Sequence, residues 1–184
     1  IINFMYQIKS RAFVLNKINY SETDRIVTLL TKNKGKITFV AKGVRRPKSK
    51  KRGHLEIFNL IDFSGSIKNG KMGYLTEVTT IRSFPKIKTS LGKMALAYYF
   101  MEVMGRVSPN DEENYVLFKL IGKYLSKLEN TNNLKSLRME FIRELLVVLG
   151  FWPDEKELKD PDGALDEVLE RKLSSFRIGK KLTY

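Results

Sequence analysis

The residues of this chain best suited to chemistry are lysines and arginines, and they are concentrated in one segment. Residues 32–52 contain ten Lys or Arg and no Asp or Glu. Six of the eight residues from 45 to 52 are basic, with Pro47 and Ser49 between them. Closely spaced cations neutralise a polyanion such as a phosphate backbone and release its counterions. We interpret the segment as a positively charged arm that binds a polyanion.

Nine cations of this segment are the primary binding candidates, because they occupy a predicted strand and the turn and loop that flank it. These candidates are Lys34, Lys36, Lys42, Arg45, Arg46, Lys48, Lys50, Lys51 and Arg52. Two further residues are secondary candidates. Tyr20 would stack on a base. Arg25 would add positive charge, although it is equally suited to an ion pair with Glu22 or Asp24.

The other residue types offer little for catalysis. His54 is the only histidine and there is no cysteine, which excludes disulfides, zinc fingers and a cysteine nucleophile. The glycines do not form a nucleotide-binding motif. A metal-dependent nuclease would have to use scattered carboxylates, namely Glu22, Asp24, Asp62 and Glu77. We therefore expect no catalytic residue, no metal and no cofactor, and keep the nuclease as the less favoured hypothesis.

The net charge of +14 is distributed unevenly along the chain. Residues 1–84 carry a net charge of +12 and residues 85–184 only +2. A chain this basic is expected to bind nucleic acid or an anionic membrane. Membrane-surface binding is typical of a basic amphipathic helix, whereas the basic segment here is predicted to be strand and loop. Nucleic acid is the predicted partner, and no membrane binding is expected.

The N-terminal half has the alternation of apolar and polar residues that is typical of strands with one buried face. Gly35 is predicted to take a positive φ in a tight turn, and Asn69-Gly70 predicts a hairpin. Tyr74 and Phe39 are considered with Tyr20 as stacking residues, but Phe39 belongs to the predicted buried face. The five predicted strands are residues 6–16, 25–31, 36–42, 55–63 and 71–81. Five strands without intervening helices indicate a small barrel.

Beyond residues 83–85 the apolar residues recur at helical spacing. A first helix is predicted to bury Leu91, Met94, Ala95, Tyr98 and Met101. A capping box of Asn110 and Glu113 is predicted to start a second helix that buries Phe118, Ile121, Leu125 and Leu128. A third helix would end at Gly150, and a fourth would begin near Pro161 or Gly163 and carry Leu165, Val168, Leu169 and Leu173. The chain is therefore predicted to contain two domains, a barrel at residues 1–84 and an all-α domain at residues 85–184.

Several segments, in order, resemble the N-terminal signature of the bacterial RecO family. They are YSETDRIV at 20–27, Thr31, Gly35-Lys36, Ala41-Lys42-Gly43, Arg45-Arg46, Lys48-Ser49, Gly53 and LEIF at 55–58. The stretch from Phe141 to Phe151 with Pro153 is similar to the central helix of that family and the turn after it. One departure is that many members carry a four-cysteine zinc module after this turn, so this chain would be a member without zinc.

The resemblance implies an α+β protein with an N-terminal five-stranded OB-fold barrel and a C-terminal helical domain. It also implies a non-enzymatic recombination mediator that binds single- and double-stranded DNA and anneals complementary strands. The implied partners are a RecR-like protein, the C-terminal tail of single-strand-binding protein and, indirectly, RecA. The expected location is the cytoplasm, with the bacterial nucleoid. An OB-fold protein that binds RNA is the alternative, because a cationic groove alone does not exclude a 2′-hydroxyl.

Overall fold

The structure is a computed structural model that describes residues 5–68 and 72–170. Its N-terminal part contains five strands, and the alternating pattern of the sequence accounts for their extended form. The strands are β1 (Met5–Asn19), β2 (Arg25–Thr31), β3 (Gly35–Ala41), β4 (Leu60–Lys68) and β5 (Gly73–Arg82). They hydrogen-bond in the order β1-β2-β3-β5-β4 and close into a barrel.

The strand pairing is that of an OB fold. β1 pairs with β4 along its first half and with β2 along its second half, and a bulge between Val14 and Asn16 lets it bend from one partner to the other. Only β3 and β5 pair in parallel, through Phe39 with Gly73 and Val40 with Tyr74. The other pairs are antiparallel. The predicted OB-fold barrel is confirmed.

The barrel interior is filled by the inward-facing residues of all five strands. Phe39 and Phe63 form its centre, with ring centroids 5.3 Å apart and an interplanar angle of 67°. Gly65 and Gly73 lie against Phe39, where an added Cβ would come within 2.8 and 2.7 Å of its ring atoms. Phe39 is fully buried, so it cannot stack on a bound base.

Helices α1 (Leu91–Val107) and α2 (Tyr115–Asn130) follow a short 3-10 turn at Pro85–Ile87. They cover part of the outer barrel surface, where Phe13 on β1 contacts Phe84 and Phe118. Residues Ile1–Asn130 form one compact unit and residues Thr131–Tyr184 form a second. The predicted domain boundary at residues 84 and 85 stays a prediction.

The second compact unit contains α3 (Leu134–Val148) and a helix at residues 161–170. Asn133 caps α3 by accepting a hydrogen bond from the Ser136 N–H at 3.1 Å. The helix is followed by Gly150 with φ of 76°, as expected for a residue just past a helix end. Within the 161–170 helix, Leu165, Val168 and Leu169 are buried. The end of the third predicted helix and the start of the fourth are confirmed, while Leu173 lies outside the described residues.

Several details of the sequence prediction are wrong. Residues 55–59 form turns rather than the start of β4, because Leu55 and Phe58 are buried at a spacing of three and Phe58 takes a φ of 60°. In α1, Leu91, Ala95 and Tyr98 are exposed and Met94 is half-buried. The face that packs against β1 and α2 is a different one. Its buried residues are Leu96, Ala97, Phe100, Met101, Val103, Met104 and Val107.

The third detail concerns the start of α2. The helix is capped by Asn114, whose Oδ1 accepts a hydrogen bond from the Leu117 N–H at 3.0 Å, rather than by Asn110. Asn110 instead forms a bridge with Lys36 of β3. The first strand is also longer than predicted, whereas β2 has the predicted bounds. The predicted hairpin at Asn69-Gly70 lies outside the described residues.

Candidate nucleic-acid interface

Residues 42–59, which we name the basic connection, join β3 to β4 as a series of turns. Its apolar side chains hold it against the barrel, since Val44 and Leu55 are fully buried in the barrel core. The predicted arm is therefore attached to the barrel on both sides of its six-cation run. Local composition suggested an arm because six cations cannot bury themselves, but the anchoring residues stand on either side of that run. The cations are displayed on a folded surface.

The loop between β1 and β2 holds the beginning of the basic connection. The Asp24 carboxylate accepts hydrogen bonds from the Gly43 N–H at 2.8 Å and the Thr23 hydroxyl at 2.9 Å. These two bonds, in that order, lower the pKa of Asp24 from its ordinary value of 3.8, and the nearby Lys42 charge lowers it further. Gly43 takes a φ of 65° at this point, which favours glycine.

Arg45 completes the attachment of the two loops. Its N–H donates to the Thr23 carbonyl at 2.9 Å, and its guanidinium Nη1 donates to the Ser21 carbonyl at 2.5 Å. We name residues 20–24 together with the basic connection the loop end of the barrel. Asp24 and Arg45 thus fix the start of the cationic surface to a rigid strand end.

Three contacts fix the far part of the basic connection. Lys51 Nζ donates to the Leu75 carbonyl of β5 at 3.4 Å. The Thr80 N–H donates to His54 Nδ1 at 3.1 Å, so the single histidine joins this connection to β5. Its neighbour Glu56 forms a salt bridge with Lys17 at 2.5 Å.

Seven of the nine primary candidates lie together at the loop end. Lys42, Arg46, Lys48, Lys50 and Arg52 are exposed, while Arg45 and Lys51 are half-buried and bind main-chain carbonyls. Lys48, Lys50 and Arg52 make no side-chain hydrogen bond or ion pair with any described residue. The structure therefore brings together a set of cations whose charge is directed to solvent.

The other two primary candidates lie at the opposite end of β3, about 20 Å away as estimated from the strand length. We name residues 32–36 and 109–119 the turn end. Lys34 is exposed, and its Nζ lies 4.8 Å from the centre of the Tyr6 ring. Lys36 Nζ donates to the Gly105 carbonyl of α1 at 2.5 Å. The sequence alone does not show that these two lysines lie far from the other seven candidates, because their positions in space depend on the strand pairing.

The two secondary candidates differ in exposure. Arg25 Nε donates to Asn19 Oδ1 at 3.2 Å rather than to a carboxylate, and its Nη1 is buried without a hydrogen-bond partner. Tyr20 is 63% exposed at the end of β1. Tyr74 also reaches solvent, and Lys42 Nζ lies 4.4 Å from the centre of its ring, a cation–π geometry. Tyr20 and Tyr74 are thus available for stacking.

The four carboxylates named for a nuclease do not form one group, although Asp62 and Glu77 line the same small pocket. Asp24 is held at the loop end by Gly43, whereas Asp62 and Glu77 are on β4 and β5. Within residues 5–68 and 72–170, no three His, Asp or Glu side chains are grouped so that they could hold a metal ion. None of the helices in these ranges has the length and apolar character needed to cross a bilayer.

Two family models match the chain. The N-terminal domain of recombination protein O matches residues 5–84, and the C-terminal domain of the same protein matches residues 88–157. The chain belongs to the RecO family. In this RecO-family chain the loop end lies entirely within the N-terminal match, whereas the turn end combines residues from both matches.

Curated relatives agree with this membership. The DNA repair protein RecO of Dehalococcoides mccartyi is 36% identical over 153 residues, which is 83% of this chain and 60% of that protein. The proteins of the same name from Geobacter metallireducens and Pelobacter propionicus are 33% and 32% identical, over 80% and 81% of this chain. The chain spans about 60% of the length of these RecO relatives.

Sequence reasoning did not find one cluster at the turn end of this RecO-family chain. Lys32 and Lys119 place their Nζ atoms 5.4 and 5.0 Å from the centre of the Tyr115 ring. The ring of Tyr115 also stacks on Phe118, with centroids 6.3 Å apart. Lys32 is in the turn between β2 and β3, whereas Tyr115, Phe118 and Lys119 are in α2. The spacing of these residues in the sequence therefore does not indicate that they form a cluster. The surrounding residues Asp111, Glu112 and Glu113 make this cluster a poor anion site.

Proposed function

We propose that this chain binds DNA through the loop end of its barrel and acts in DNA repair and recombination. The family membership and the names of the relatives support the biological role. The observation that carries the DNA-binding proposal is the group of exposed cations on the basic connection. Fixed cations displayed at one end of an OB barrel neutralise several phosphates at once and lose little conformational freedom on binding.

The proposed activity is that of a mediator rather than an enzyme. The protein would bind single- and double-stranded DNA and anneal complementary strands without ATP. Together with a RecR-like protein it would assist the loading of RecA onto DNA coated with single-strand-binding protein. The lack of a nucleotide-binding glycine motif in the sequence and the separation of Asp24 from Asp62 and Glu77 support this proposal.

The helical part is proposed to bind the acidic tail of single-strand-binding protein through cations on its helices. Their present contacts differ. Arg138 forms a bidentate ion pair with Asp162, and Arg143 forms an ion pair with Asp154. Lys119 lies over Tyr115 and is exposed. An acidic tail would have to compete with Asp162 or Asp154 for either arginine, and Lys119 lies in the cluster beside three acidic residues at the turn end. These contacts do not single out one of the four candidates, Lys119, Lys123, Arg138 and Arg143.

Fluorescence-detected annealing of complementary strands coated with single-strand-binding protein tests this proposal. We expect faster annealing without ATP, and no acceleration by the variant Arg46→Ala/Lys48→Ala/Lys50→Ala/Arg52→Ala. Equal acceleration by the variant and the parent chain would refute the role of the loop end. Competition between DNA and RNA strands of one sequence distinguishes the RNA-binding alternative, because preferential retention of RNA would favour it.

A further inference from the structure

The only histidine of the chain, His54, stands in a turn of the basic connection. The N–H groups of His54 and Leu55 both donate to the Lys51 carbonyl, at 3.2 and 3.3 Å, so residues 51–55 form one turn. Arg52 lies inside this turn as an exposed cation without a side-chain hydrogen bond to any described residue. The conformation of the turn therefore decides where the Arg52 guanidinium is displayed.

The His54 ring is attached to β5 through one of its nitrogens. The Thr80 N–H donates to Nδ1 at 3.1 Å, and the Thr80 hydroxyl lies 2.9 Å from the same atom. A main-chain N–H can only donate a hydrogen bond, so Nδ1 carries a lone pair and the neutral ring has its proton on Nε2. A ring protonated on both nitrogens offers the Thr80 N–H no acceptor. We name this contact between His54 and Thr80 the latch.

The main chain around His54 is held by contacts that do not involve the imidazole. Asn59 Nδ2 donates to the His54 carbonyl at 3.1 Å and to the Gly53 carbonyl at 3.4 Å, and Leu55 is fully buried. Opening the latch therefore frees the ring from β5 and leaves this part of the connection attached to the barrel. On the other side of Arg52, Lys51 Nζ reaches the Leu75 carbonyl only at 3.4 Å, a long hydrogen bond. The latch is the shorter of these two side-chain contacts to β5.

Charged side chains lie close to the latch in both segments that meet there. Within three positions of His54 or Thr80 they are Lys51, Arg52, Glu56, Glu77 and Arg82. Glu56 is paired with Lys17, Arg82 is paired with Glu129, and Glu77 lines a pocket with Asp62 and Lys9. Among the residues that the structure describes, none forms an ion pair with His54. An imidazolium at this position would therefore stand beside Lys51 and Arg52 without a carboxylate partner.

The chemistry of histidine makes the latch sensitive to pH. Histidine is the side-chain type whose charge ordinarily changes between pH 5 and 8, and this chain has one histidine and no cysteine. The His54 side chain is half-buried, so solvent reaches it. A side-chain titration that alters the basic connection in this pH range is therefore assigned to His54.

We propose that His54 is a positioning residue for the cations of the basic connection: its neutral ring latches the connection to β5, and its protonation opens the latch and weakens DNA binding. This inference rests on the proposed function and adds control by pH to it. A positive charge added to a DNA-binding surface would by itself strengthen the attraction to phosphates. Opening of the latch and simple addition of charge thus predict effects of opposite sign.

The variant His54→Asn provides the matched comparison, because asparagine offers an amide oxygen near the position of Nδ1 and does not titrate. Affinity for a single-stranded and a duplex oligonucleotide is measured by fluorescence anisotropy from pH 5 to pH 8. We expect the parent chain to lose about threefold to tenfold in affinity relative to His54→Asn on going to pH 5, since freed side chains must be ordered again on binding. A relative gain in affinity, or no difference between the two pH profiles, would overturn the inference.

The variant His54→Leu removes the acceptor at every pH. Its affinity at pH 8 should match that of the parent chain at pH 5, and its salt dependence should equal that of the parent chain because no phosphate contact is removed. Parent-like affinity of His54→Leu at pH 8 would show that the latch does not position the cations.

Hydrogen exchange of the Thr80 amide tests the latch in the absence of DNA. The ratio of the exchange rate in the parent chain to that in His54→Asn should rise several-fold from pH 8 to pH 5, while the same ratio for the amides of β2 stays constant. A Thr80 ratio that does not change with pH would contradict the inference.

These measurements distinguish the two proposals. If the parent chain binds no DNA at pH 8, the proposed function fails and the inference fails with it. If the parent chain binds DNA with the same pH profile as His54→Asn, only the inference about His54 fails.

Discussion

The two ends of the barrel contain similar residues but use them differently. The loop end has seven Lys or Arg and three Asp or Glu, whereas the turn end has four and three. At the turn end, Lys36 binds a carbonyl of α1 and Lys32 and Lys119 lie over Tyr115. At the loop end, Lys48, Lys50 and Arg52 remain exposed without side-chain hydrogen bonds to described residues.

This difference shows that the number of cations does not define an anion-binding surface. A lysine contributes to binding only when its ammonium group remains able to contact a phosphate. At the turn end, Lys36 and Lys32 join the barrel to α1 and α2. The loop end attaches its main chain through Asp24, Arg45 and Lys51. One end is therefore interpreted as structural and the other as functional.

The largest expected effect is the loss of DNA binding after neutralisation of the loop end. The variant Arg46→Ala/Lys48→Ala/Lys50→Ala/Arg52→Ala should bind single-stranded DNA about 100-fold more weakly at low salt. The slope of log affinity against log salt should decrease by about 3, since four phosphate contacts are removed. Anisotropy titrations at several salt concentrations measure both quantities.

The matched control neutralises four exposed or half-buried cations away from the loop end: Lys9, Arg11, Lys32 and Lys34. We expect its affinity to change less than about fivefold, because only long-range attraction is reduced. Equal losses in the two variants would show that net charge, rather than the loop end, controls binding.

The second expected effect is on stability. Gly35 has a φ of 60°, and an added Cβ would lie 2.0 Å from the Glu112 carbonyl oxygen. Gly35→Ala should lower the free energy of unfolding by roughly 2–4 kcal/mol through backbone strain and overpacking, as measured by urea denaturation. Gly53→Ala at the loop end, where an added Cβ meets no atom within 4 Å, should change it by less than about 0.5 kcal/mol. If Gly35→Ala left the free energy of unfolding unchanged, the turn end could not be tightly packed around Gly35.

A third comparison replaces one lysine at each end of the barrel with methionine. Lys36→Met should cost about 1 kcal/mol of stability, because the hydrogen bond to Gly105 is lost, and should leave DNA affinity almost unchanged. Lys42→Met should keep stability and lower affinity for single-stranded DNA a few-fold, reducing the salt slope by about 0.7. The reverse result would assign DNA binding to the turn end.

The smallest expected effect concerns pH at the loop end. The pKa of Asp24 is lowered by the Gly43 N–H first and by Thr23 next, so its ionised form stabilises the folded state above the ordinary pKa of 3.8. That contribution is lost as the pH falls through the lower folded-state pKa. Asp24→Asn should therefore be less stable than the parent chain near neutral pH, and the difference should disappear in strong acid.

Unfolding measured from pH 2 to pH 7 tests this expectation. Glu22→Gln is the matched control, because Glu22 is exposed and makes no hydrogen bond with the described residues. A difference between Asp24→Asn and the parent chain that does not depend on pH would show that the Gly43 contact does not require a charged carboxylate.

Much of the fold could be predicted because it depends on local pattern. The bounds of β2, the positive φ of Gly35 and the end of α3 before Gly150 follow from strand alternation and from glycine conformation. The error in α1 arose because the face that packs against β1 and α2 is different from the predicted stripe, so that Leu91 and Tyr98 are exposed. The error at Leu55 arose because a connection can bury apolar residues without being a strand.

The candidate site could be predicted only in part. The concentration of cations near residue 45 was evident from the sequence, but the residues that lie side by side across the strands were not. Ile18, Ile26, Val40 and Tyr74 are separated by 8, 14 and 34 positions along the chain, and only the strand register brings them together. Register depends on pairing across the whole barrel, which no local spacing reveals.

The sequence by itself determined the charge surplus, its location near the end of β3 and the approximate positions of the five strands. These properties follow from the composition and from the alternation of apolar and polar residues, which involve only residues close together in the sequence. The tertiary structure alone decided which cations remain exposed, because their competing partners, Gly105 for Lys36 and Leu75 for Lys51, are distant in sequence. A hydrogen bond between such residues exists only when folding has placed the donor and the carbonyl within reach.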